Sequence, residues 1–133
     1  MAIHSYLLFV KNRKIKIGSF GENLARDFLK RKGYKVLKRN VKNKWGEIDI
    51  IAKRGNTLIF IEVKTRTSDF FGGSIRSLSF RKMERFKRAI QVFLSSPKLK
   101  QVDSLDVRAD FIGVDLDLKK KVAKIRHVKN VGL

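Results

Sequence analysis

The stretch GEIDIIAKRGNTLIFIEVK, residues 46–64, carries the clearest structural signal in this chain. Two apolar runs flank the dipeptide Gly55-Asn56, and a glycine at the first position of a two-residue loop favours a type II′ hairpin turn. The stretch therefore predicts two antiparallel strands. Counted outward from the loop, the expected facing pairs are Arg54 with Thr57, Ala52 with Ile59, Ile51 with Phe60, Asp49 with Glu62 and Glu47 with Lys64.

One end of this hairpin concentrates charge. Side chains alternate between the two faces of a strand, so Glu47, Asp49, Glu62 and Lys64 are expected to share one face. Acidic residues are scarce in the chain, which has 12 Asp and Glu against 32 Lys and Arg. Like charges that face each other destabilise a strand pair, so Asp49 and Glu62 should cost stability unless a cation lies between them.

The ligand types at this end indicate which cation would fit. Oxygen ligands alone favour a hard ion, Mg²⁺ or Mn²⁺, and His4 and His127 lie too far away in the sequence to suggest zinc. The spacing D-x12-E-x-K, in so basic a chain, has the parts for metal-assisted phosphodiester hydrolysis. The structural alternative is a surface ion pair between Glu47 and Lys64, with Asp49 solvated at the end of the sheet.

The composition narrows the class of partner. The chain has 133 residues, the size of one ordinary domain, and a formal net charge of +20. That charge favours a polyanion, DNA or RNA before an anionic membrane, over a merely soluble cationic surface. The absence of cysteine excludes disulfides and thiolate metal sites. The apolar run at residues 6–10 is too short to span a bilayer and lacks the features of a secretory signal, so a cytoplasmic location is expected.

Hydrophobic periodicity predicts two helices and three further strands. An apolar residue recurs every three or four positions over residues 19–32, with Gly33 as the stop, and again within residues 74–94, with Ser79 as a plausible N-cap. In the second helix the apolar face is expected to carry Phe80, Met83, Phe86, Ile90 and Phe93. Strands are predicted at residues 34–39, 107–114 and 122–128. The order α-β-β-β-α-β-β predicts an α/β (α+β) domain with a central mixed five-stranded sheet flanked by helices.

Several short motifs together resemble one family. They are Gly21-Glu22-x2-Ala25, Gly33-Tyr34, Asn40, Gly46-Glu47-Ile48-Asp49, Glu62-Val63-Lys64-Thr65-Arg66, Phe71-Gly72, Lys82 and Arg108-x-Asp110. In this combination, from about residue 18 onward, the chain resembles the YraN-like family of uncharacterised bacterial proteins. It is also similar to the PD-(D/E)xK nuclease superfamily, whose fold is restriction-endonuclease-like. The chain also resembles the archaeal Holliday-junction resolvases, which have a glutamate on a helix before the metal hairpin.

The resemblance implies a role for each matching residue. Asp49 and Glu62 would be metal ligands, together with the carbonyl of Val63. Lys64 would be the catalytic lysine, and Glu22 an auxiliary acid that orients water or helps a second metal ion. Residues 1–13, an N-terminal arm, lie outside the resemblance, which leaves residues 14–133 as a single nuclease-like domain.

Basic and aromatic residues beside the hairpin suggest a nucleic-acid surface. No acidic residue occurs between Phe28 and Gly46, and the cations of this stretch run directly into the hairpin. The candidates for contact with phosphate or bases are Lys38, Arg39, Lys42, Lys44, Trp45 and Lys82. The alternatives are a solvated basic face, and a packing role for Trp45.

Three functions remain open at this point. The first is a Mg²⁺- or Mn²⁺-dependent endonuclease that acts on DNA, with branched DNA as a candidate substrate and a homodimer as a candidate assembly. The second is a non-catalytic nucleic-acid-binding module in a DNA- or RNA-processing complex. The third is an RNA-associated protein of the ribosome-assembly kind. A carboxylate pair that costs stability favours the first, because a pure binder has no need of it.

Overall fold

The computed structural model describes residues 17–67, 73–76, 79–96 and 106–132. The N-terminal arm at residues 1–13, and the motif Phe71-Gly72 of the family resemblance, lie outside the described residues. The elements, in chain order, are α1 (Ile17–Arg31), β1 (Lys35–Asn43), β2 (Gly46–Arg54), β3 (Thr57–Thr67), α2 (Gly73–Arg76), α3 (Phe80–Leu94), β4 (Asp106–Asp117) and β5 (Val122–Val128).

The five strands form one mixed sheet in the order β1-β2-β3-β4-β5. Neighbouring strands are antiparallel except β3 and β4, which are parallel and are connected through α2 and α3. Within the described ranges, two long helices and one single-turn helix accompany the sheet. The predicted α+β architecture and the order α-β-β-β-α-β-β are therefore confirmed.

The hairpin of β2 and β3 has the predicted register near its turn. Ala52 faces Ile59 and Ile51 faces Phe60. Gly55 has a φ of 59°, and Asn56 is not among the described residues with positive φ, as a type II′ turn requires. The chemistry of the two-residue loop is thus sufficient to set the pairing.

The sheet separates two apolar clusters, one beneath each long helix. The first joins α1 to alternate residues of the sheet, among them Ile50, Ile61 and Ile112. The second joins α3 to Ile51 and Phe60 on the opposite face. Period-two alternation in the central strands therefore supplies apolar surface to both helices, as expected for a sheet that is covered on both sides.

Helix ends and faces follow the sequence signals with one exception. Gly33, with φ 90°, ends α1, and the N–H of Tyr34 bonds back to the carbonyl of Leu29 in a Schellman arrangement. The Ser79 hydroxyl accepts the N–H of Lys82 and caps α3, as predicted. The expectation that Phe80 belongs to the buried face of α3 is wrong. It is the first residue of the helix and is 82% exposed, because the sheet lies under the later turns.

None of the helices within the described ranges combines the length and apolar character needed to cross a bilayer.

Candidate metal centre and cationic groove

The candidate site lies where β2 and β3 part from each other. Their registered pairs end at Ile50 with Ile61, beyond which β2 stays paired with β1 and β3 with β4. At this fork the Oδ2 atom of Asp49 accepts the backbone N–H of Val63 at 2.7 Å. A side chain thus replaces the backbone carbonyl that would have continued the ladder. The predicted pair of Asp49 with Glu62 is not among the registered pairs of β2 and β3. The carboxylate of Asp49 instead occupies the space between the two strands.

Glu47 is the second residue whose partner in the structure differs from the expected one. It faces Lys42 of β1 in the sheet register, and its carboxylate lies 4.0 Å from the Lys42 ammonium. The surface ion pair that the sequence suggested between Glu47 and Lys64 is replaced by this contact. The cause is the same divergence of strands, because β2 keeps only β1 as its registered neighbour beyond the fork.

Asp49 and Glu62 are both buried at the fork and influence each other. They are 4% and 3% exposed. Burial, followed by the charge of Asp49, raises the pKa of Glu62 to about 7. Burial also raises the pKa of Asp49, although the N–H of Val63 opposes this. Burial and mutual repulsion disfavour the ionised form of both carboxyl groups, and a cation bound between them would stabilise that form.

Lys82 of α3 supplies a cation from within the chain. Its Nζ lies 3.0 Å from Oε1 of Glu62, and its side chain is 41% exposed. Lys64 is within electrostatic reach of this pair. The positive charge of Lys82, and then burial, lower the pKa of Lys64, while the charge of Glu62 opposes that shift. The structure therefore brings Glu62, Lys64 and Lys82 together on the α3 side of the sheet.

Glu22 approaches the fork from α1. Burial, followed by the charge of Asp49, raises the pKa of Glu22, so its carboxyl group is electrostatically coupled to the fork. Gly21 makes this approach possible. A Cβ atom at Gly21 would lie 1.7 Å from the Thr65 hydroxyl, which is buried without a hydrogen-bond partner. Only a glycine lets α1 pack this closely on β3.

The donor set can be tested for its fit to a divalent ion. Among the described residues, no three His, Cys, Asp or Glu side chains are close enough to share one metal ion. A hydrated Mg²⁺ needs only one or two protein carboxylates, with water and substrate phosphate in the other positions. Asp49 and Glu62 meet that need. The carbonyl of Val63 should point into the fork as well, since the N–H and C=O of one strand residue lie on the same side. The residues present fit a hydrated hard cation.

A cationic groove opens beside Glu62. It has a volume of about 480 Å³ and lies between the turn that joins β1 to β2 and the first turns of α3. Gly46 brings these two walls together, because a Cβ there would lie 3.1 Å from the carbonyl oxygen of Arg85. The lining residues are Lys42, Asn43, Lys44, Gly46, Glu47, Glu62, Ser79, Arg81, Lys82, Arg85 and Phe86. Five of them are cations, so the groove suits an anionic chain that reaches the carboxylate.

The predicted basic contacts divide between this groove and other surfaces. Lys42, Lys44 and Lys82 line the groove. Lys38 is exposed on β1 outside the groove lining. Arg39 instead faces α1, where its guanidinium donates to the side chain of Asn23 at 2.7 Å. Trp45 is 44% exposed, and it belongs to neither apolar cluster.

Sequence reasoning missed two groove residues. Arg81 and Arg85 of α3 line the groove, but neither is among the contact residues that the sequence predicts. Their spacing of four residues, with Lys82 between them, was the available signal, because residues four apart share one helix face. What could not be read locally is that this face lies opposite the turn between β1 and β2.

A second buried charged group lies away from the groove. Asp110 is fully buried and accepts two hydrogen bonds from Arg108, one from the backbone of Asn130, and a contact of 2.7 Å from His127. Burial acts to raise the pKa of Asp110, but the hydrogen bonds from His127 and Arg108 outweigh it and lower the pKa to about 2. This network joins β4 to β5 and to the segment that follows β5, and it gives both Asp110 and His127 a structural role.

Comparison with known sequences assigns the chain to a family. The family model described as "Uncharacterised protein family UPF0102" matches residues 21–114, which include every residue of the fork. The chain belongs to the UPF0102 family. A UPF0102 protein of Caldicellulosiruptor saccharolyticus is 40% identical over 117 residues, covering 88% of this chain and 97% of that protein. One from Alkaliphilus oremlandii is 42% identical over 115 residues, covering 86% and 96%. This UPF0102 chain thus corresponds to nearly the whole length of these relatives.

Proposed function

We propose that this UPF0102 protein is a Mg²⁺- or Mn²⁺-dependent endonuclease that hydrolyses phosphodiester bonds in DNA. The observation that carries the proposal is the pair of buried carboxyl groups, Asp49 and Glu62, of which Glu62 lines a groove that also carries five cations. The fold and the D-x12-E-x-K spacing are consistent with a member of the PD-(D/E)xK superfamily. The net charge of +20 favours a polyanionic substrate.

The residues of the fork divide the work of hydrolysis. Asp49, Glu62 and the carbonyl of Val63 would hold the metal ion. When bound, such an ion lowers the pKa of water and neutralises charge on the phosphoryl group. Lys64 and Lys82 stand beside Glu62 and can stabilise the charge that develops on the phosphate oxygens. Glu22 approaches from the other side of the fork and can accept or orient the proton of the attacking water.

The test is cleavage by purified protein with Mg²⁺ or Mn²⁺ on linear, flapped and four-way DNA. Asp49→Ala, Glu62→Ala and Lys64→Ala should each lower cleavage by orders of magnitude, because a metal ion supplies several kcal/mol of transition-state stabilisation. DNA binding should survive, since the first two changes remove negative charge near the phosphates. Glu84→Ala, on α3 but paired with Lys87, is the matched control and should keep activity. Cleavage that persists in Glu62→Ala would indicate a contaminating nuclease.

A non-catalytic nucleic-acid-binding module is the second candidate. The ion pair of Lys82 with Glu62 favours it, because the lysine already supplies a positive charge to the buried carboxyl group. In that case the groove would hold nucleic acid, and the carboxyl groups would serve only to position α3. Wild-type protein that binds DNA but cuts none of the substrates with either metal would select this candidate over the endonuclease.

A further inference from the structure

A second concavity adjoins the cationic groove along α3. It has a volume of about 360 Å³ and is lined by Trp45, Arg88, Gln91, Val92 and Ser95. Trp45 joins the two concavities, because its sequence neighbours on both sides, Lys44 and Gly46, line the groove. The α3 residues of the groove occupy the first half of the helix, and those of the second concavity the other half. The two concavities therefore follow one another along α3.

The lining of the second concavity has the chemistry of a nucleobase site. Trp45 is 44% exposed and Val92 is 38% exposed, which supplies an aromatic and an apolar surface. The side-chain amide of Gln91 can donate and accept hydrogen bonds to a base edge. The Arg88 guanidinium lies 5.7 Å from the centre of the indole ring and adds positive charge for a neighbouring phosphate. Aromatic stacking combined with amide and cationic groups is the usual means of binding unpaired bases.

The cations at the indole ring do not prevent a base from stacking there. Lys44 Nζ lies 5.4 Å from the ring centre and Arg88 5.7 Å, and both side chains are exposed. A cation–π contact at an exposed site is weaker than the stacking of a base on an aromatic ring. An incoming base can therefore displace one of these cations, which then remains available to bind phosphate.

We propose that this concavity is a subsite for one unpaired DNA base, stacked on Trp45, whose backbone runs along α3 through the cationic groove towards Glu62. The choice of DNA rests on the proposed function; the subsite itself does not. In a continuous duplex the bases are paired and stacked on each other, so none can stack on Trp45 without being flipped out. The substrate class is therefore DNA with an unpaired segment, such as a flap, a gap or a single strand.

Trp45 provides a direct assay, because it is the only tryptophan in the chain. The binding of a 12-nucleotide oligothymidine should quench its fluorescence in buffer with EDTA, where no metal-dependent cleavage occurs. A duplex of the same length should bind through its phosphates with little quenching. Trp45→Ala should weaken binding of a labelled oligothymidine about 5- to 150-fold, measured by anisotropy, and should leave duplex binding within about two-fold.

A matched pair of variants separates the subsite from general electrostatics. Val92→Glu places a carboxylate in the concavity and should abolish quenching by oligothymidine. Leu118→Glu places the same charge on the turn between β4 and β5, at a residue 46% exposed, and should leave quenching unchanged. Circular dichroism and thermal melting should match the wild type for both, since both residues are already exposed.

Several outcomes would overturn the subsite. These are equal quenching by duplex and single strand, equal loss of both substrates in Trp45→Ala, or equal effects of Val92→Glu and Leu118→Glu. Tighter binding of oligouridine than of oligothymidine would overturn the assignment to DNA. The proposed endonuclease is tested separately. Metal-dependent cutting of duplex without Trp45 quenching refutes the subsite alone, and quenching without cutting by any metal refutes the endonuclease alone.

Discussion

Replacing Glu62 with glutamine should stabilise the metal-free protein at neutral pH. The carboxyl group is 3% exposed, and its pKa is raised from 4.5 to about 7 in the folded state. A carboxyl group with a raised pKa destabilises the fold above its folded pKa, and this cost disappears as the pH falls below the unfolded value. The shift of about 2.5 pKa units corresponds to about 3 kcal/mol at pH 8. Glu62→Gln mimics the protonated form and should recover that amount.

The loss of the Lys82 contact does not reverse this expectation. Removing one member of a buried ion pair usually destabilises a protein because the other charge remains buried and uncompensated. Lys82 is 41% exposed, so its ammonium group can be hydrated when Glu62 becomes neutral. The side-chain carbonyl of glutamine can also still accept a hydrogen bond from it.

Urea denaturation followed by circular dichroism in EDTA measures the effect. Glu62→Gln should be more stable than the wild type by about 3 kcal/mol at pH 8, and the difference should shrink towards zero near pH 4.5. Glu84→Gln, at a side chain 45% exposed on α3, is the matched control and should change stability by less than about 0.5 kcal/mol at either pH. A variant that is less stable at pH 8, or a difference that does not vary with pH, would refute the proposed electrostatics.

Magnesium should largely cancel the stability advantage of Glu62→Gln at pH 8. A ligand that binds only the folded state adds about 2.7 kcal/mol when present at 100 times its dissociation constant. Wild-type protein should therefore gain stability as Mg²⁺ is raised, while Glu62→Gln, which lacks one of the two carboxylates, should gain little. Equal gains in the two proteins would exclude Glu62 as a metal ligand, whatever the activity of the protein.

Three further outcomes test other parts of the structure. Lys82→Met should tighten Mn²⁺ binding about ten-fold by calorimetry, because it removes a competing cation, while Lys87→Met, which removes an equal charge elsewhere on α3, should not. Gly21→Ala should lower stability by about 1–3 kcal/mol in thermal melts through its clash with β3, whereas Gly18→Ala, with open space around it in the same helix, should raise it by about 0.5–1 kcal/mol. Asp110, with its pKa lowered to about 2, should contribute about 2 kcal/mol to the free energy of unfolding above pH 3.8. This contribution is lost as the pH falls to 2, so the stability deficit of Asp110→Asn should narrow over that range.

Local signals in the sequence were sufficient for the elements and for the register near the hairpin turn. The loop Gly55-Asn56 determined which residues of β2 and β3 face each other. Apolar spacing, Gly33 and Ser79 placed the helices, because capping and periodicity act over a few residues. The same signals identified Asp49 and Glu62 as carboxyl groups at one end of the hairpin.

Only the tertiary structure decided how that end is arranged. β2 and β3 separate beyond the pair of Ile50 with Ile61, where β2 stays paired with β1 and β3 with β4. Asp49 then accepts the N–H of Val63. Lys82 reaches Glu62 because the crossover between β3 and β4 carries α3 over that face of the sheet. Contacts of this kind join residues that are distant along the chain. Their geometry depends on the packing of whole elements, to which spacing and residue type along the sequence give no direct guide.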